Sequence, residues 1–570
     1  MKSSSQIRTR EELIYALCRA AEIEHGLTCI YLFAAFSMKR FTSEGIDEVQ
    51  QDQVRNWEAV VLAVAKQEME HLGIVCNLLN SIGAAQHFSR PNLPQPAEYY
   101  QTEFPFSLEP FSLATIEMFM EFEKPATNDF AEGEVEGDGL VPDPIRTQNF
   151  HTVQELYATV LEGFEYLDKQ GDLFIGPPQA QINDGEIVVG FNNREYGITM
   201  IEVTDLQSAK QAVDIIIEQG EGIPIEAVLP TKHARELQRL YRRVVENLQL
   251  MKGLTFDEAN WRQSAEELSV ALGKQHELLL KALELLEGDE QILNEVYWFL
   301  PHTVVELLDI AIARLTVQHE RVEAILQTGD PAGPACELNE VQAVVVQITQ
   351  YDVEGVLLSG FTNPESHYIK FWSIYEQLKT IDYQPARNVV SNPALRLHAD
   401  NKEYADLVTI AENPYSRNVM ELVNASYETM VQMLLLTFSY NNMSNDARYL
   451  FTRTAFFPFM SMVIRPLCEM LTLLPVGGYD DDRRTGPPFE YYIDIALLPN
   501  FDAGMKYLNE RLVQIAKFSD SLVTVPKELR DYLGDEQFTY LQEEMSYLNG
   551  TLHRIQQNFA AGPVPSDLQS

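Results

Sequence analysis

Residues 66–84 read KQEMEHLGIVCNLLNSIGA, a stretch whose apolar side chains recur at the spacing of an α-helix. One face of that helix would carry Glu68, His71, Leu72, Val75, Leu78 and Leu79. A carboxylate that is buried without a partner costs several kcal/mol or takes up a proton. The pair of Glu68 and His71 on an apolar stripe therefore predicts a shared cation. A surface pair is the alternative, because Glu-x-x-His spacing is common by chance on helices.

An earlier helix combines an apolar stripe with one acidic residue in the same way. It begins at TREE (9–12), where the threonine and the second glutamate form a capping box. Glu24 is the one acidic residue on its apolar stripe. Glu22 and His25 also have Glu-x-x-His spacing, but they share a face with Arg19, and we interpret them as a surface pair rather than as ligands.

The limits of these two helices follow from their stripes and stop signals. We expect the first helix to end near Met38 and the second to run from Val54 to Ser81, with Gly83 as its C-terminal stop. Glu70 lies off the stripe of the second helix, where we expect it to face water or a neighbouring helix. Together with two further long helices at 152–169 and 205–222, they indicate a helical bundle.

The rest of the chain is predicted to be mostly helical. Residues 185–203, GEIVVGFNNREYGITMIEV, predict a β-hairpin with Asn-Asn at the turn. The acidic stretch 128–144 lacks the spacing of an EF-hand and is interpreted as a solvated loop. Helical periodicity is also found at 112–123, 152–169, 205–222, throughout 222–350 and from Pro393 onward. The predicted fold class is mainly α, a four-helix bundle with a large helical insertion, a C-terminal helical domain and one small β-hairpin.

Bundle cores can hold two metal ions between glutamates and Glu-x-x-His pairs of facing helices. Glu24, Glu68 and His71 supply half of such a set. On the third helix Glu155 is a candidate, and Glu117 is its rival on the preceding short helix. Further candidates are Glu221, just past a helical stripe, and His367, which stands before an aromatic-rich face and could equally be a structural histidine.

Five segments, in this order along the chain, resemble a known family. They are EIEHGLTCIYLFAAFS (22–37), AKQEMEHLGIVCNLLNSIGA (65–84), TVQELYATVLEGFEYL (152–167), DLQSAKQAVDIIIEQGEG (205–222) and ESHYIKF (365–371). Together they resemble the ferritin-like domain of the iminophenyl-pyruvate dimer synthase family, which is known from violacein- and rebeccamycin-type pathways. The resemblance covers residues 9–221 and 351–380, and more loosely 415–490.

Carried over residue by residue, the resemblance implies two metal ions, iron with manganese as the alternative. The implied ligands are Glu24, Glu68, His71, Glu155, Glu221 and His367. The pairing of Glu221 with His367 requires that the segment between them loops out. The corresponding domains are 1–221, continued at 351–385, for the ferritin-like part, 222–350 for the inserted helices, and 386–570 for the C-terminal helices.

Composition narrows the partners of this 570-residue chain. Its formal net charge is −42, which disfavours nucleic acids and anionic membrane surfaces. The five cysteines are widely spaced without a Cys-x-x-Cys, as expected of reduced thiols in the cytoplasm. Neither a secretory leader nor an apolar run long enough to span a bilayer is evident. Self-association of the chain is left open.

The leading functional hypothesis is an oxidoreductase with a non-haem di-iron site that uses O₂ or peroxide on a small organic substrate. An amino-acid-derived imine or amine is the substrate class that the resemblance implies. Rossmann, P-loop and nucleophile-elbow motifs are not found in the sequence, which disfavours nicotinamide, nucleotide and hydrolase chemistry. The alternatives are a metal-storage bundle and a helical interaction scaffold.

Overall fold

The computed structural model describes the chain with the exception of a set of short segments. These are residues 1–6, 101, 103, 126–151, 184–198, 221–231, 258–259, 288–303, 329–333, 360–361, 364, 440–444, 493–496, 498–499 and 561–570. The predicted hairpin, the acidic loop and Glu221 therefore lie wholly or mostly outside the described residues.

The protein is mainly α-helical, which confirms the predicted fold class. Its helices are α1 (Arg10–Ser37), α2 (Glu48–Ser81), α3 (Ala97–Tyr100), α4 (Leu113–Phe122), α5 (Val153–Asp168), α6 (Leu206–Gln219), α7 (Lys232–Lys252), α8 (Trp261–Glu287), α9 (Val304–Thr328), α10 (Pro334–Gln347), α11 (Glu354–Ser359), α12 (His367–Leu378), α13 (Pro414–Phe438), α14 (Asn445–Phe451), α15 (Phe457–Phe459), α16 (Arg465–Leu471), α17 (Phe501–Asp520) and α18 (Glu528–Ala560). Strands β1 (Pro393–Ala394) and β2 (Thr409–Ile410) pair in parallel.

The chain forms two compact units. The first comprises Met1–Phe122, Phe130–Ile216 and Asp382–Ser570, and the second comprises Glu123–Asp129 and Ile217–Ile381. These units are groupings in space, and they do not test the domain boundaries predicted from the sequence, which stay a prediction.

The first helix forms as its sequence predicts. Thr9 accepts a hydrogen bond from the backbone N–H of Glu12, and the Glu12 carboxylate accepts from the N–H of Thr9 at 2.9 Å, so the capping box is complete. The helix ends at Ser37, with Met38 as its C-cap. Because α1 is buried on nearly all sides, it lies inside the first unit, as expected for a helix that is apolar around its circumference.

The second helix starts six residues before the predicted position. Asp47 caps it, accepting from Gln50 N–H at 2.8 Å while the Gln50 side chain accepts from Asp47 N–H at 2.9 Å. Its first turns are polar and carry no apolar stripe, so the periodicity did not reveal them. The predicted stop is confirmed, since Gly83 has a φ of 82° that favours glycine.

Helix α5 packs against α1 and begins at a threonine cap, Thr152, which accepts from the N–H of Glu155 at 3.2 Å. Helix α6 is capped by Asp205, which accepts from the N–H of Ser208 at 2.8 Å. These caps explain why both helices begin within a residue or two of the positions that the sequence indicates.

The stretch Arg448–Leu471 contains two π-helical turns, Thr452–Phe456 and Met460–Ile464, between α14, α15 and α16. Within the described residues it is the one helix whose length and composition would allow it to cross a membrane, and 61% of its most apolar window is buried inside the protein. Burial of this kind is also found in core helices of soluble proteins.

Candidate metal centre

Glu24, Glu68 and His71 meet where α1 and α2 pack against each other. Their exposed fractions are 1%, 2% and 1%, so all three are removed from solvent. Each residue offers one ligand atom, and these atoms lie within 4.8 Å of one another. The prediction that an apolar stripe brings these three side chains together agrees with this geometry.

The imidazole of His71 faces both carboxylates. Its Nδ1 lies 3.2 Å from Glu68 Oε2 and 3.5 Å from Glu24 Oε2. The i, i+3 spacing on α2 puts Glu68 and His71 on one face. Two carboxylates and one imidazole therefore converge on one small region between the helices.

Tyr157 of α5 adds a hydrogen bond to the cluster. Its hydroxyl donates to Glu24 Oε1, and the tyrosine itself is completely buried. Glu24 Oε2, by contrast, accepts no hydrogen bond from the described part of the chain. A buried carboxylate oxygen of this kind calls for a cation or a proton.

The electrostatics of the protein without an ion are unfavourable for two ionised carboxylates. Burial, followed by repulsion from Glu68, raises the pKa of Glu24 from 4.5 to about 8, and His71 offsets only part of this. Burial alone would lower the pKa of His71, but the neighbouring Glu68 and Glu24 more than compensate and raise it well above 6.5. The cluster therefore holds protons that a metal ion would displace.

The donor set fits an oxidisable first-row metal. Carboxylates suit hard ions such as manganese and ferrous iron, and imidazole suits iron as well as zinc. Two features of the chain itself fit a cation: Glu24 Oε2 accepts no hydrogen bond from the described residues, and three buried donors converge there.

Glu155 lies in the first turn of α5, with an exposed fraction of 8%. It does not belong to the cluster of Glu24, Glu68 and His71. Its role as a ligand stays a prediction. Its rival Glu117 is half-buried on α4 and is likewise outside that cluster.

In the second unit, His367 opens α12 and is completely buried. Its Nδ1 lies 3.4 Å from Oε2 of Glu123, which is 4% exposed. A buried carboxylate and imidazole thus face each other here too. The assignment of His367 as a metal ligand stays a prediction.

The backbone also brings the predicted partner segments of the second unit together. The N–H of His367 donates to the carbonyl of Gly220 at 2.9 Å, and the amide of Asn363 reaches the carbonyl of Glu218 at 3.4 Å. Gly220 directly precedes Glu221 in the sequence. The intervening segment therefore loops out between these contacts, as the pairing of Glu221 with His367 requires, while Glu221 itself lies outside the described residues.

Two neighbouring predictions concern acidic residues beside this cluster. Glu70 does not face water, because it is 6% exposed and pairs with Lys66 at 2.8 Å. The packing of the protein, which sequence spacing does not show, covers that side of α2. Glu22 pairs with Arg19 at 2.8 Å. His25 is 5% exposed and bonds to the carbonyl of Phe88, so the interpretation of Glu22 and His25 as a surface pair is wrong for His25, and their exclusion as ligands stays a prediction.

Sequence reasoning missed Tyr157 and Glu123. Tyr157 gave no signal, because a tyrosine on an apolar helix face is ordinary. Glu123 did give one: it follows Ile116 and Met120 at helical spacing, the same combination of stripe and acid that revealed Glu24. Glu123 directly precedes Lys124 and Pro125, which predict the end of the helix, so it was interpreted as a helix-end residue.

Comparison with known families supports the fold. Residues 17–241 match the ferritin-like family. This match contains Glu24, Glu68 and His71, and therefore the whole cluster of the first unit.

Two curated proteins are similar to the chain. Dichlorochromopyrrolate synthase from Lentzea aerocolonigenes is 23% identical over 565 residues, which covers 94% of this chain and 42% of the synthase. The 2-imino-3-(indol-3-yl)propanoate dimerase from Chromobacterium violaceum is 25% identical over 256 residues, covering 41% of this chain and 23% of the dimerase. The chain spans less than half the length of either relative.

A solved ferritin-like protein from Caulobacter vibrioides is also similar. It is 18% identical, and the superposition covers 44% of this chain and 88% of that protein with a TM-score of 0.25. A TM-score this low carries no argument about shared architecture.

Proposed function

We propose that this chain, which contains a ferritin-like domain and is related to a synthase and a dimerase of the iminophenyl-pyruvate dimer synthase type, is a non-haem di-metal oxidoreductase. Iron is the proposed metal and manganese the alternative. The proposed oxidant is O₂ or peroxide, and the proposed substrate is a small organic molecule.

The observation that carries the proposal is the buried cluster of Glu24, Glu68 and His71. Two carboxylates and one imidazole share a volume from which water is excluded, and an ion there would neutralise charges that otherwise oppose burial. Without an ion, the cluster compensates for this burial by holding protons on Glu24 and His71, whose pKa values are raised.

The residues of the chain have distinct roles in this proposal. His71 and Glu68 are presented together by one helix face, and Glu24 completes the set from α1. Tyr157 donates to Glu24 Oε1 and thereby orients its other oxygen toward the ligand volume. Metal ions, when bound, would supply the redox chemistry with the oxidant. The resemblance predicts that Glu155, Glu221 and His367 complete the ligand set.

The substrate proposal comes from the relatives. The dimerase is named for an imine of an amino-acid skeleton, 2-imino-3-(indol-3-yl)propanoate. We propose an amino-acid-derived imine or amine for this chain, within a biosynthetic pathway. The relatives are named as a synthase and a dimerase, and the proposed reaction is an oxidation, an oxygenation or an oxidative coupling of this substrate.

Metal binding is tested by loading the purified chain with ferrous iron without oxygen and measuring bound iron per chain after desalting. We expect about two ions, as in two-metal sites, and loss of stoichiometric binding in Glu68→Ala and in His71→Ala. Glu22→Ala is the matched control, because Glu22 is an acidic residue of α1 that pairs with Arg19. Absence of bound iron, or binding unaffected by Glu68→Ala, would contradict the proposal.

Enzyme and storage functions are separated by admitting air to the loaded protein. An oxidoreductase consumes oxygen in proportion to an added amine or imine, and its iron content stays constant. A storage protein accumulates iron far beyond two ions per chain and does not convert any of the screened substrates.

A further inference from the structure

The first unit contains a cavity of about 270 Å³ whose lining includes none of the three residues of the proposed metal site. Its lining includes Cys29 of α1 and Gly73 of α2, which follow Glu24 and Glu68, respectively, by five residues. Five residues correspond to about 140° around an α-helix. The lining also includes Thr28 and Leu72. Each of them follows one of these two glutamates by four residues, so the cavity begins beside the proposed site on the same two helices.

Phenylalanine and methionine side chains form a large part of the wall, among them Met69, Met430, Phe456 and Met460. Thioether and ring contacts favour flat aromatic guests, and methionines adapt to irregular shapes. The volume is close to the lower end of small-molecule sites, which begin at about 300 Å³. One or two fused or linked rings would fill such a space.

The wall opposite α1 and α2 depends on the π-helical turns of Arg448–Leu471. Phe456 and Phe457, then Met460 and Ser461, then Ile464 and Arg465 face the cavity in pairs that are four residues apart. Each π-helical turn accommodates one extra residue, and such turns are frequent at functional sites.

The floor of the cavity is polar although it is buried. His25 Nδ1 donates to the carbonyl of Phe88 at 2.8 Å, because a carbonyl only accepts. The other nitrogen of a neutral His25 ring then accepts from the Tyr427 hydroxyl at 2.6 Å. Cys29 Sγ lies 3.6 Å from the same hydroxyl.

A buried guanidinium lies directly behind this floor. Arg90 is 4% exposed, and it donates to the Tyr427 hydroxyl at 3.0 Å and to the carbonyl of Phe489 at 2.6 Å. Across the described residues no carboxylate forms an ion pair with Arg90. A cation buried without a countercharge is costly, and its positive potential acts on whatever occupies the cavity.

The rim carries two more cations. Lys66 and Arg465 line the cavity with side chains that are 30% and 50% exposed. Glu70 also lines it, but it pairs with Lys66 at 2.8 Å, and Arg465 pairs with Glu469 at 2.7 Å. Glu70 and Glu469 neutralise these two cations at the rim. Among the described residues near the cavity, Arg90 therefore remains a positive charge without a carboxylate partner.

We propose that this cavity binds one flat aromatic molecule of one or two rings that bears no positive charge. Aromatic and thioether walls hold its rings, and Arg90, which donates to Tyr427 at the floor, disfavours a cation there. The inference goes beyond the proposed function, because binding in this cavity requires no metal ion.

The test uses the metal-free full chain and three probes with one ring system: naphthalen-1-ylmethanol, naphthalene-1-acetate and naphthalen-1-ylmethylammonium. Titration calorimetry should show saturable binding of one neutral or anionic probe per chain. The affinity for the ammonium probe should be at least about tenfold lower than for the neutral probe, which corresponds to 1.4 kcal/mol.

Two variants link binding to this cavity. Leu434→Trp fills it from a half-buried position of α13, and we expect affinity for the neutral probe to fall about tenfold or more. Gly73→Ala adds a methyl group near Met200 Sδ and should weaken binding by a smaller factor. Glu421→Trp, on an exposed position of the same helix α13, is the matched control and should bind like the parent chain.

Circular dichroism melting establishes that each variant is folded, and Gly73→Ala decides the question if Leu434→Trp does not fold. Absence of saturable binding by the neutral and anionic probes overturns the proposal, as does binding that neither cavity variant weakens. Equal affinity for the ammonium probe overturns the assigned ligand class. Probe binding that persists in Glu68→Ala supports the proposal, whatever the outcome of the metal experiments.

Discussion

At the scale of single residues, the informative signal was a charged side chain on an otherwise apolar helical stripe. Glu24, Glu68 and His71 were found this way, because burial of such groups demands a partner. Tyr157 was not predicted, because tyrosine is common in protein cores and its hydrogen bond to Glu24 depends on how α5 packs on α1. The cluster was therefore predictable, whereas its supporting residue required the structure.

Glu24→Gln should remove a pH dependence of stability in the metal-free protein. The pKa of Glu24 is 4.5 ordinarily and about 8 in the folded chain. A carboxyl group with a raised pKa stabilises the folded state fully below pH 4.5, and this contribution is lost as pH rises through 8. Glutamine resembles the protonated form at every pH.

Urea unfolding between pH 5 and pH 8 measures this effect. The free energy of unfolding of the parent chain should fall relative to that of Glu24→Gln as pH rises. His71 has a raised pKa as well and shifts stability in the same direction, so the difference between the two proteins is the quantity to follow. Parallel pH profiles would show that Glu24 is ionised in the folded chain.

Tyr157→Phe should weaken metal binding without unfolding the protein. The substitution keeps the ring but removes the donor to Glu24 Oε1, and loss of a supporting hydrogen bond costs roughly 10- to 100-fold in metal affinity. Competition with a chelator measures the dissociation constant. Tyr166→Phe on the same helix, whose ring lies 4.3 Å from the Arg8 guanidinium, should leave it unchanged; an equal loss in both variants would refute the role of Tyr157.

At the scale of elements, helix ends were predictable where capping residues mark them. Thr9, Thr152 and Asp205 begin α1, α5 and α6 as expected. The start of α2 was placed six residues late, because its solvent-facing first turns have no apolar periodicity to detect. Residue spacing in the sequence does not predict where two helices approach each other closely.

Gly355→Ala should strongly destabilise the second unit. A Cβ at this position of α11 would lie 2.2 Å from Nε1 of the fully buried Trp372 on α12, so one of the two helices must shift. Overpacking of this kind costs roughly 1–3 kcal/mol. Gly550→Ala, at an exposed position of α18 where a Cβ meets nothing within 4 Å, is the control and should stabilise by roughly 0.5–1 kcal/mol. Denaturant unfolding distinguishes the two, and equal stabilities would contradict the close packing.

At the scale of the whole molecule, the helical class and the ferritin-like segment were accessible from periodicity and motif order. The contact between Gly220 and His367 was only partly accessible, because residues so far apart in sequence meet through the path of the intervening helices. The division of the chain into two compact units was not evident from composition, since apolar stripes continue through both.

The net charge of −42 should make stability depend on salt. Repulsion among acidic side chains opposes the compact state, and raising ionic strength from 0.01 M to 0.15 M shortens the screening length from about 30 Å to about 8 Å. We expect the unfolding temperature to rise by roughly 2 °C, the shift produced by about 1 kcal/mol in large domains. Calorimetric scans near pH 4.6, where the net charge is close to zero, are the control, and an equal rise there would contradict a charge effect.

Glu24, Glu68 and His71 are proposed to hold a metal ion, and anomalous diffraction from iron-loaded crystals at the iron absorption edge would locate that ion. We expect a peak in contact with oxygens of Glu24 and Glu68 and with the His71 imidazole, and a second peak about 4 Å away, the usual two-metal spacing. A map from fully loaded protein without a peak between these three side chains would contradict it.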